Sequence, residues 1–313
     1  MVDLLLVAAG LTALIFGGDF LVRGSVSVAQ ALNVSPLVIG LTLVGFGTST
    51  PELMTSLLAA LRDAPGIAVG NVVGSNIANI LLILGLAGLF APIAVQTATL
   101  RRDGTMMVVA SLAGLAIVAA GAVGRLAGGV MVMMLALYLL AVFLAERRST
   151  ATLVDVPETV PGQPIWRAGL VALGGLALTL VGANWLVAGA VAIAQEFGIS
   201  EAVIGLTIVA VGTSMPELVT SVIAVRKGQG DVAFGNVVGS NIFNLLGILG
   251  VTALVQPLNV PPEIIRFDIW VMLGAALALI VFAATGKRLS QGEAGVFFAA
   301  YAAYLAVLIT GAL

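Results

Sequence analysis

One polar segment of this chain occurs twice. Gly45, Thr48, Ser49, Pro51, Glu52 and Leu53 return 165 residues later as Ala210, Thr213, Ser214, Pro216, Glu217 and Leu218. Asn71, Gly74, Ser75, Asn76 and Asn79 return at the same offset as Asn236, Gly239, Ser240, Asn241 and Asn244. Between residues 35–85 and 200–250, 30 of 51 positions are identical without a gap. Any fold must therefore house the same Gly, Pro, Ser, Thr, Asn and Glu pattern twice. Such residues are costly in the surroundings that the rest of the chain demands.

Those surroundings are a bilayer. The chain is 60% hydrophobic and only 9% charged, and apolar runs of about 20 residues, enough to cross roughly 30 Å of hydrocarbon, recur along its length. Breaking it at polar turns predicts ten helices, at 3–30, 36–61, 67–89, 104–122, 126–146, 166–195, 200–225, 231–254, 267–286 and 293–312. The first has Asp3 before it and no basic flank, so it reads as a membrane helix rather than a cleaved signal. The expected architecture is an all-α polytopic membrane protein, with a five-helix unit over 1–146, a short loop over 147–165 and a second five-helix unit over 166–313. Five is odd, so the second unit enters the membrane from the opposite side. That makes an inverted-topology repeat, with a substrate site expected near the midplane where the repeats meet.

An outside N-terminus leaves Arg101, Arg102, Arg147, Arg148, Arg167, Arg226, Lys227, Lys287 and Arg288 on inside loops, against Arg62, Arg125 and Arg266 outside. This distribution follows the positive-inside rule and places the 147–165 loop in the cytoplasm, with the plasma (inner) membrane as the expected location. A net charge of −2 argues against a nucleic-acid partner. The absence of Cys and His excludes disulfides, thiolate metal sites and imidazole proton relays. The expected partners are the lipid bilayer and transported ions, with no obligate protein partner and no cofactor.

In the second helix Gly45, Thr48, Ser49, Glu52 and Ser56 share one face, as Ala210, Thr213, Ser214, Glu217 and Ser221 do in the seventh. Pro51 and Pro216 should kink each helix and free the Gly47 and Gly212 carbonyls beside the glutamates. The neighbouring helices carry Asn71, Ser75 and Asn79, and Asn236, Ser240 and Asn244, with glycines that allow close approach. Carboxylates, hydroxyls, amides and carbonyls without a soft ligand suit hard cations such as Ca²⁺ or Na⁺. Two intramembrane glutamates with no Lys or Arg in the motif helices need bound cations or protons. One Ca²⁺ or two Na⁺ would neutralise a site of charge −2.

At these residues the chain resembles the calcium/cation antiporter superfamily, and within it the prokaryotic sodium/calcium exchangers. G-T-S-x-P-E and G-N-x-x-G-S-N-I-x-N are similar to that family's two α-repeats, and the resemblance covers essentially the whole chain. It implies that Glu52 and Glu217 hold Ca²⁺ with carbonyls from Thr48 and Thr213. It further implies one flanking sodium site of Gly45, Thr48, Ser49, Glu52 and Ser75, and a mate of Ala210, Thr213, Ser214, Glu217 and Ser240. Asn79 and Asn244 match the central pair; some members have Asp at the latter position, a residue associated with potassium dependence, so Asn244 argues against K⁺ co-transport.

The implied activity is Na⁺/Ca²⁺ antiport by alternating access, the long first and sixth helices moving across a fixed four-helix site. The chain reads as a transporter, not an enzyme. A H⁺-coupled Ca²⁺ antiporter is the nearest alternative, since carboxylates carry protons too. A channel would more naturally use symmetric subunits, and an intramembrane carboxyl protease would leave the duplicated cage unexplained. Asn71, Asn76, Asn236 and Asn241 read equally well as interhelical hydrogen-bond partners. Asp19 and Arg23 are four apart and read as an intrahelical ion pair. Met106, Met107, Met131 and Met134 read as lipid-facing or packing filler.

Overall fold

The structure, a computed structural model, describes residues 2–32, 34, 36–148, 164–196 and 210–310. It is helical throughout, apart from four two-residue strands. The helices are α1 (Val2–Leu32), α2 (36–48), α3 (Thr50–Leu61), α4 (Pro65–Phe90), α5 (Thr97–Ala119) and α6 (Arg125–Arg148), followed by α7 (Ile165–Glu196), α8 (Ala210–Thr213), α9 (Met215–Arg226), α10 (Gly230–Val255), α11 (Ile264–Gly286) and α12 (Gln291–Thr310). Among the described residues eight of these, namely α1, α4, α5, α6, α7, α10, α11 and α12, are long and apolar enough to cross a bilayer. The expected 36–61 helix is instead two pieces, broken at Ser49. The expected 200–225 helix is described only from Ala210 and breaks at Ser214. Most of the expected 147–165 loop lies outside the described residues, while Arg147 and Arg148 belong to α6.

Burial separates an inner layer from an outer one. The apolar windows of α4 and α10 are 78% and 83% buried, against 17–39% for the other six. The motif-bearing helices are thus the centre of the molecule and the remainder face outward. Outer-face leucines, valines and phenylalanines such as Leu126, Leu137, Val281 and Phe143 are exposed, as lipid requires of a spanning helix. Helices α2, α4, α5, α10 and α11 each contain a π-helical stretch, at Gly40–Val44, Asn79–Leu84, Leu100–Gly104, Phe243–Leu249 and Ile264–Asp268. Short π segments are rare and concentrate at functional positions. Two of these begin at or beside the duplicated Asn79 and Asn244.

Helices α1 and α7 lie against one another along their length because both carry glycine every seventh residue. Gly10, Gly17 and Gly24 meet Gly182, Gly175 and Ala172. A Cβ at Gly17 would stand 2.6 Å from Thr179 N, and one at Gly182 would stand 2.8 Å from Leu14 N. Only a bare Cα permits this approach, which brings backbone dipoles and dispersion contacts together where lipid gives no hydrophobic drive. Asp19 pairs with Arg23 at 2.8 Å, as the spacing predicts, and also with Lys227 just past α9. The second contact ties α1 to the inner layer.

The strands stitch the two halves together at both ends. β1 (Ile93–Ala94) pairs antiparallel with β4 (Arg288–Leu289), and β2 (Ala122–Val123) with β3 (Leu258–Asn259). Gln96 donates to Asp231 at 3.2 Å, so the start of α10 joins the β1–β4 end. Gly66 meets Pro261 at the β2–β3 end. Two-residue ladders fall below what sequence periodicity can show.

Helix α5 begins at Thr97, seven residues before the expected start. Charged Arg101, Arg102 and Asp103 read as a loop, yet they are helical. Arg102 forks onto Asp103 at 2.7 and 2.9 Å, and Tyr138 of α6 donates to the same carboxylate at 2.9 Å. Asp103 is fully buried but satisfied. Its equivalent by the 165 offset, Asp268, accepts from Tyr304 at 2.8 Å.

Candidate ion-binding site

Pro51 and Pro216 set the local geometry. Each lies in the first turn of a twelve-residue helix, where its missing N–H has no intrahelical role. The residue ending the preceding helix, Ser49 or Ser214, leaves helical geometry with φ/ψ of −80°/10° and −88°/6°. Glu52 and Glu217 consequently fall in the first turns of α3 and α9, near the positive end of the helix dipole. That position favours negative charge, which a continuous helix would not offer at mid-membrane. The Gly47 carbonyl beside Pro51 accepts the Thr50 hydroxyl at 2.8 Å, which occupies one of its two lone pairs. Thr50 has Met215 as its counterpart, so the two halves differ here.

The two glutamates are buried, and each is served by a hydroxyl from the other half. Ser49 donates to Glu217 Oε1 at 3.0 Å, and Ser214 donates to Glu52 Oε1 at 3.3 Å. Ser240 donates to the Gly45 carbonyl at 3.1 Å, and the Thr48 hydroxyl lies 3.2 Å from Asn236 Oδ1. These contacts run across the two halves. Gly45, Thr48 and Ser49 of the first half meet Glu217, Asn236 and Ser240 of the second. Thr213 sits half-buried at the end of α8 next to Ser214, and the Ala210 side chain lies outside the described residues. Ser75 is buried on α4 but makes no hydrogen bond to the glutamates.

Asn71 and Asn236 are braces. Asn71 donates to the Glu52 carbonyl at 3.1 Å and to Ser56 at 2.9 Å; Asn236 donates to the Glu217 carbonyl at 3.3 Å and to Ser221 at 2.9 Å. Each holds a glutamate-bearing helix onto the inner helix beside it. The interhelical reading of these two residues is the one the geometry favours.

Seven buried side-chain oxygens have no hydrogen-bond partner among the described residues: the hydroxyls of Ser25, Thr220 and Thr252, and Glu52 Oε2, Glu217 Oε2, Asn79 Oδ1 and Asn244 Oδ1 on the duplicated motifs. Asn79 and Asn244 turn their Nδ2 groups away, to Asn241 Oδ1 at 3.0 Å and Asn76 Oδ1 at 3.5 Å. Among the described residues no arginine or lysine forms an ion pair with Glu52 or Glu217. The four on glutamate and asparagine, two of them carboxylate, form two equivalent pairs at the 165 offset. Leaving a buried polar oxygen unmatched costs about 1–3 kcal/mol, more when it is charged. Oxygen donors of this kind suit a hard cation.

Residues 2–145 and 168–310 match the family model described as sodium/calcium exchanger protein. The chain belongs to the sodium/calcium exchanger family. Sodium/calcium exchanger MaX1 of Methanosarcina acetivorans is 34% identical over 346 residues, covering 98% of each chain. Inner membrane protein YrbG of Escherichia coli is 38% identical over 289 residues, 89% of this chain and 86% of its own. A solved structure of the sodium-calcium exchanger NCX_Mj, soaked with 2.5 mM Na⁺ and 0.1 mM Ca²⁺, matches with a TM-score of 0.87 at 31% identity, over 98% of this chain and 99% of that one. As a member of this exchanger family, within the calcium/cation antiporter superfamily, the chain is a multi-pass membrane transporter.

Of the two expectations for Met107, lipid-facing or packing filler, burial favours the second; Met272, which the sequence did not single out, is buried too, and the two sulfurs accept from Asn241 and Asn76. The available signal was their 165-residue separation, the same offset that marks the motifs.

Proposed function

We propose that this exchanger moves Ca²⁺ against Na⁺ by alternating access, with the ions held between the two halves at Glu52 and Glu217. The observation that carries the reading is the set of four buried, unpartnered oxygens on Glu52, Glu217, Asn79 and Asn244. A −2 cage is neutralised by one Ca²⁺ or by two Na⁺, so the same ligands exclude simultaneous occupancy by both loads. The contacts of Ser49 with Glu217 and of Ser240 with Gly45 support one flanking Na⁺ compartment of Gly45, Thr48, Ser49, Glu217 and Ser240; the 165-residue offset and the Ser214–Glu52 contact give its proposed mate of Ala210, Thr213, Ser214, Glu52 and Ser75. The names of MaX1 and NCX_Mj, both sodium/calcium exchangers, support Na⁺ coupling.

The proposed topology has ten membrane segments in two inverted five-helix units, 1–146 and 166–313, with the N-terminus outside and 147–165 in the cytoplasm of a bacterial-type inner membrane. Strand β1 and its 165-offset equivalent β3 lie at opposite ends of the molecule, one with β4 and one with β2, as inverted units require. The β1–β4 end also gathers Arg226, Lys227, Lys287 and Arg288, in keeping with a cytoplasmic face.

The test is ⁴⁵Ca²⁺ uptake by proteoliposomes under an outward Na⁺ gradient, with pH clamped on both sides. Na⁺-dependent uptake that vanishes in Glu52→Gln and in Glu217→Gln is expected. Uptake driven by a pH gradient and indifferent to Na⁺ would replace Na⁺ coupling with H⁺ coupling. Normal uptake by either variant would remove the proposed site.

A further inference from the structure

Two matched hydrogen-bond chains run outward from the cage, and each ends on a thioether. Asn244 donates to Asn76 Oδ1 at 3.5 Å, and Asn76 Nδ2 lies 3.7 Å from Met272 Sδ. In the mate, Asn79 donates to Asn241 Oδ1 at 3.0 Å, and Asn241 Nδ2 lies 3.9 Å from Met107 Sδ. Each chain crosses between halves, and all six residues have exact counterparts at the 165 offset. The sulfurs are buried, with Met107 at 0% and Met272 at 1% exposure.

A carboxamide has almost the same shape when turned by 180°, but the turn exchanges its acceptor for its donor. Two linked amides can turn together and keep the bond between them. In that turned state Asn79 or Asn244 would aim an NH₂ group, not an oxygen, at the cation. Nothing inside the amide pair distinguishes the two arrangements, so the outer terminus must. A thioether accepts weakly and has no proton to give. It matches an outward NH₂ and opposes an outward carbonyl.

Resting on the ion cage described above, we propose that Met107 and Met272 are positioning residues that fix the polarity of these amide chains, so that Asn79 and Asn244 present oxygen to the transported cation. The arrangement stands ready before the ion arrives, and the cation need not select among amide orientations. Removing one sulfur leaves its chain free to take either direction. With the two directions equal, half the molecules are competent at that asparagine, and the apparent dissociation constant rises about twofold; with both sulfurs gone it rises about fourfold.

The experiment is equilibrium Ca²⁺ titration of the purified full-length protein, comparing Met107→Leu, Met272→Leu and the double variant with wild type. Leucine is close in volume to methionine and is tolerated in packed interiors. Weakening of about twofold in each single variant and about fourfold in the double is expected, with the melting temperature of the ion-free protein unchanged. A role in packing alone would lower that melting temperature and leave Ca²⁺ affinity intact, which overturns the proposal.

The pairing gives a second check. Met272→Leu should add nothing in an Asn76→Ala background, yet keep its full effect in an Asn241→Ala background. Equal effects in both backgrounds also overturn it. Glu52→Gln in the same titration separates the two levels. Loss of binding there, with wild-type affinity in the methionine double variant, rejects the positioning role alone. Retained binding in Glu52→Gln rejects the cage beneath it.

Discussion

Replacing Gly182 with alanine should destabilise the protein, whereas the same change at Gly174 on the same helix should not. A Cβ at Gly182 would stand 2.8 Å from Leu14 N and 2.9 Å from Gly10 O, both backbone atoms of α1 that cannot swing aside. Ordinary contact begins at 3.4 Å, so α1 and α7 must part by about 0.6 Å, the difference of those distances. At Gly174 an added Cβ meets nothing within 4 Å. Glycine-to-alanine within a helix gains about 0.5–1 kcal/mol from chain entropy in both variants. Overpacking a tight interface costs about 1–3 kcal/mol in one only.

The comparison isolates that second quantity. At about 2–4 °C per kcal/mol, the scale for somewhat smaller domains, Gly182→Ala should melt roughly 2–12 °C below Gly174→Ala. Thermal scans in detergent, with and without Ca²⁺, measure it. Neither glycine belongs to the cage, so the added stability from Ca²⁺ should persist in both variants. Equal melting temperatures, or a higher one for Gly182→Ala, would refute close backbone packing of α1 on α7.

Tyr138→Phe leaves the buried Asp103 with Arg102 alone and should cost about 1.5–3 kcal/mol, the worth of a hydrogen bond to a charged group. Tyr304→Phe, acting on the half-buried Asp268, should lower the melting temperature by less. Lys227→Ala removes the tie between α1 and the end of α9. Both partners keep solvent access, with side-chain exposures of 28% and 23%, so the loss should stay under about 1 kcal/mol and shrink further as salt is raised.

The duplicated motifs made Glu52, Glu217 and their polar neighbours legible without coordinates, because a carboxylate amid 60% apolar residues has few structural explanations. The partnership between them was not legible. An internal repeat supplies identical residue sets within each half and across the halves, so sequence could not say that Ser49 serves Glu217 and not Glu52. Only the relative placement of the halves decides it. The start of α5 was misplaced for a related reason. Arg102 and Asp103 look like a loop until they are seen to neutralise each other beneath Tyr138. A thioether at a helical position looks like core filler, and what marks Met107 and Met272 is the amide each one faces.

The hydrogen bonds that close the cage span long stretches of chain: 168 residues from Ser49 to Glu217, 162 from Ser214 to Glu52, and 195 from Ser240 to Gly45. No part of that closure can exist while the first half alone has left the ribosome. At about 5–20 residues per second, Glu52 precedes Ser214 by on the order of 10–30 s. During that interval the nascent first half carries a carboxylate whose hydroxyl partner has not been made, and β1 has no β4 to pair with. Assembly of this transporter is thus a late event, and a chain truncated before Ser214 would be left with both an orphan carboxylate and an unpaired strand for membrane quality control to recognise.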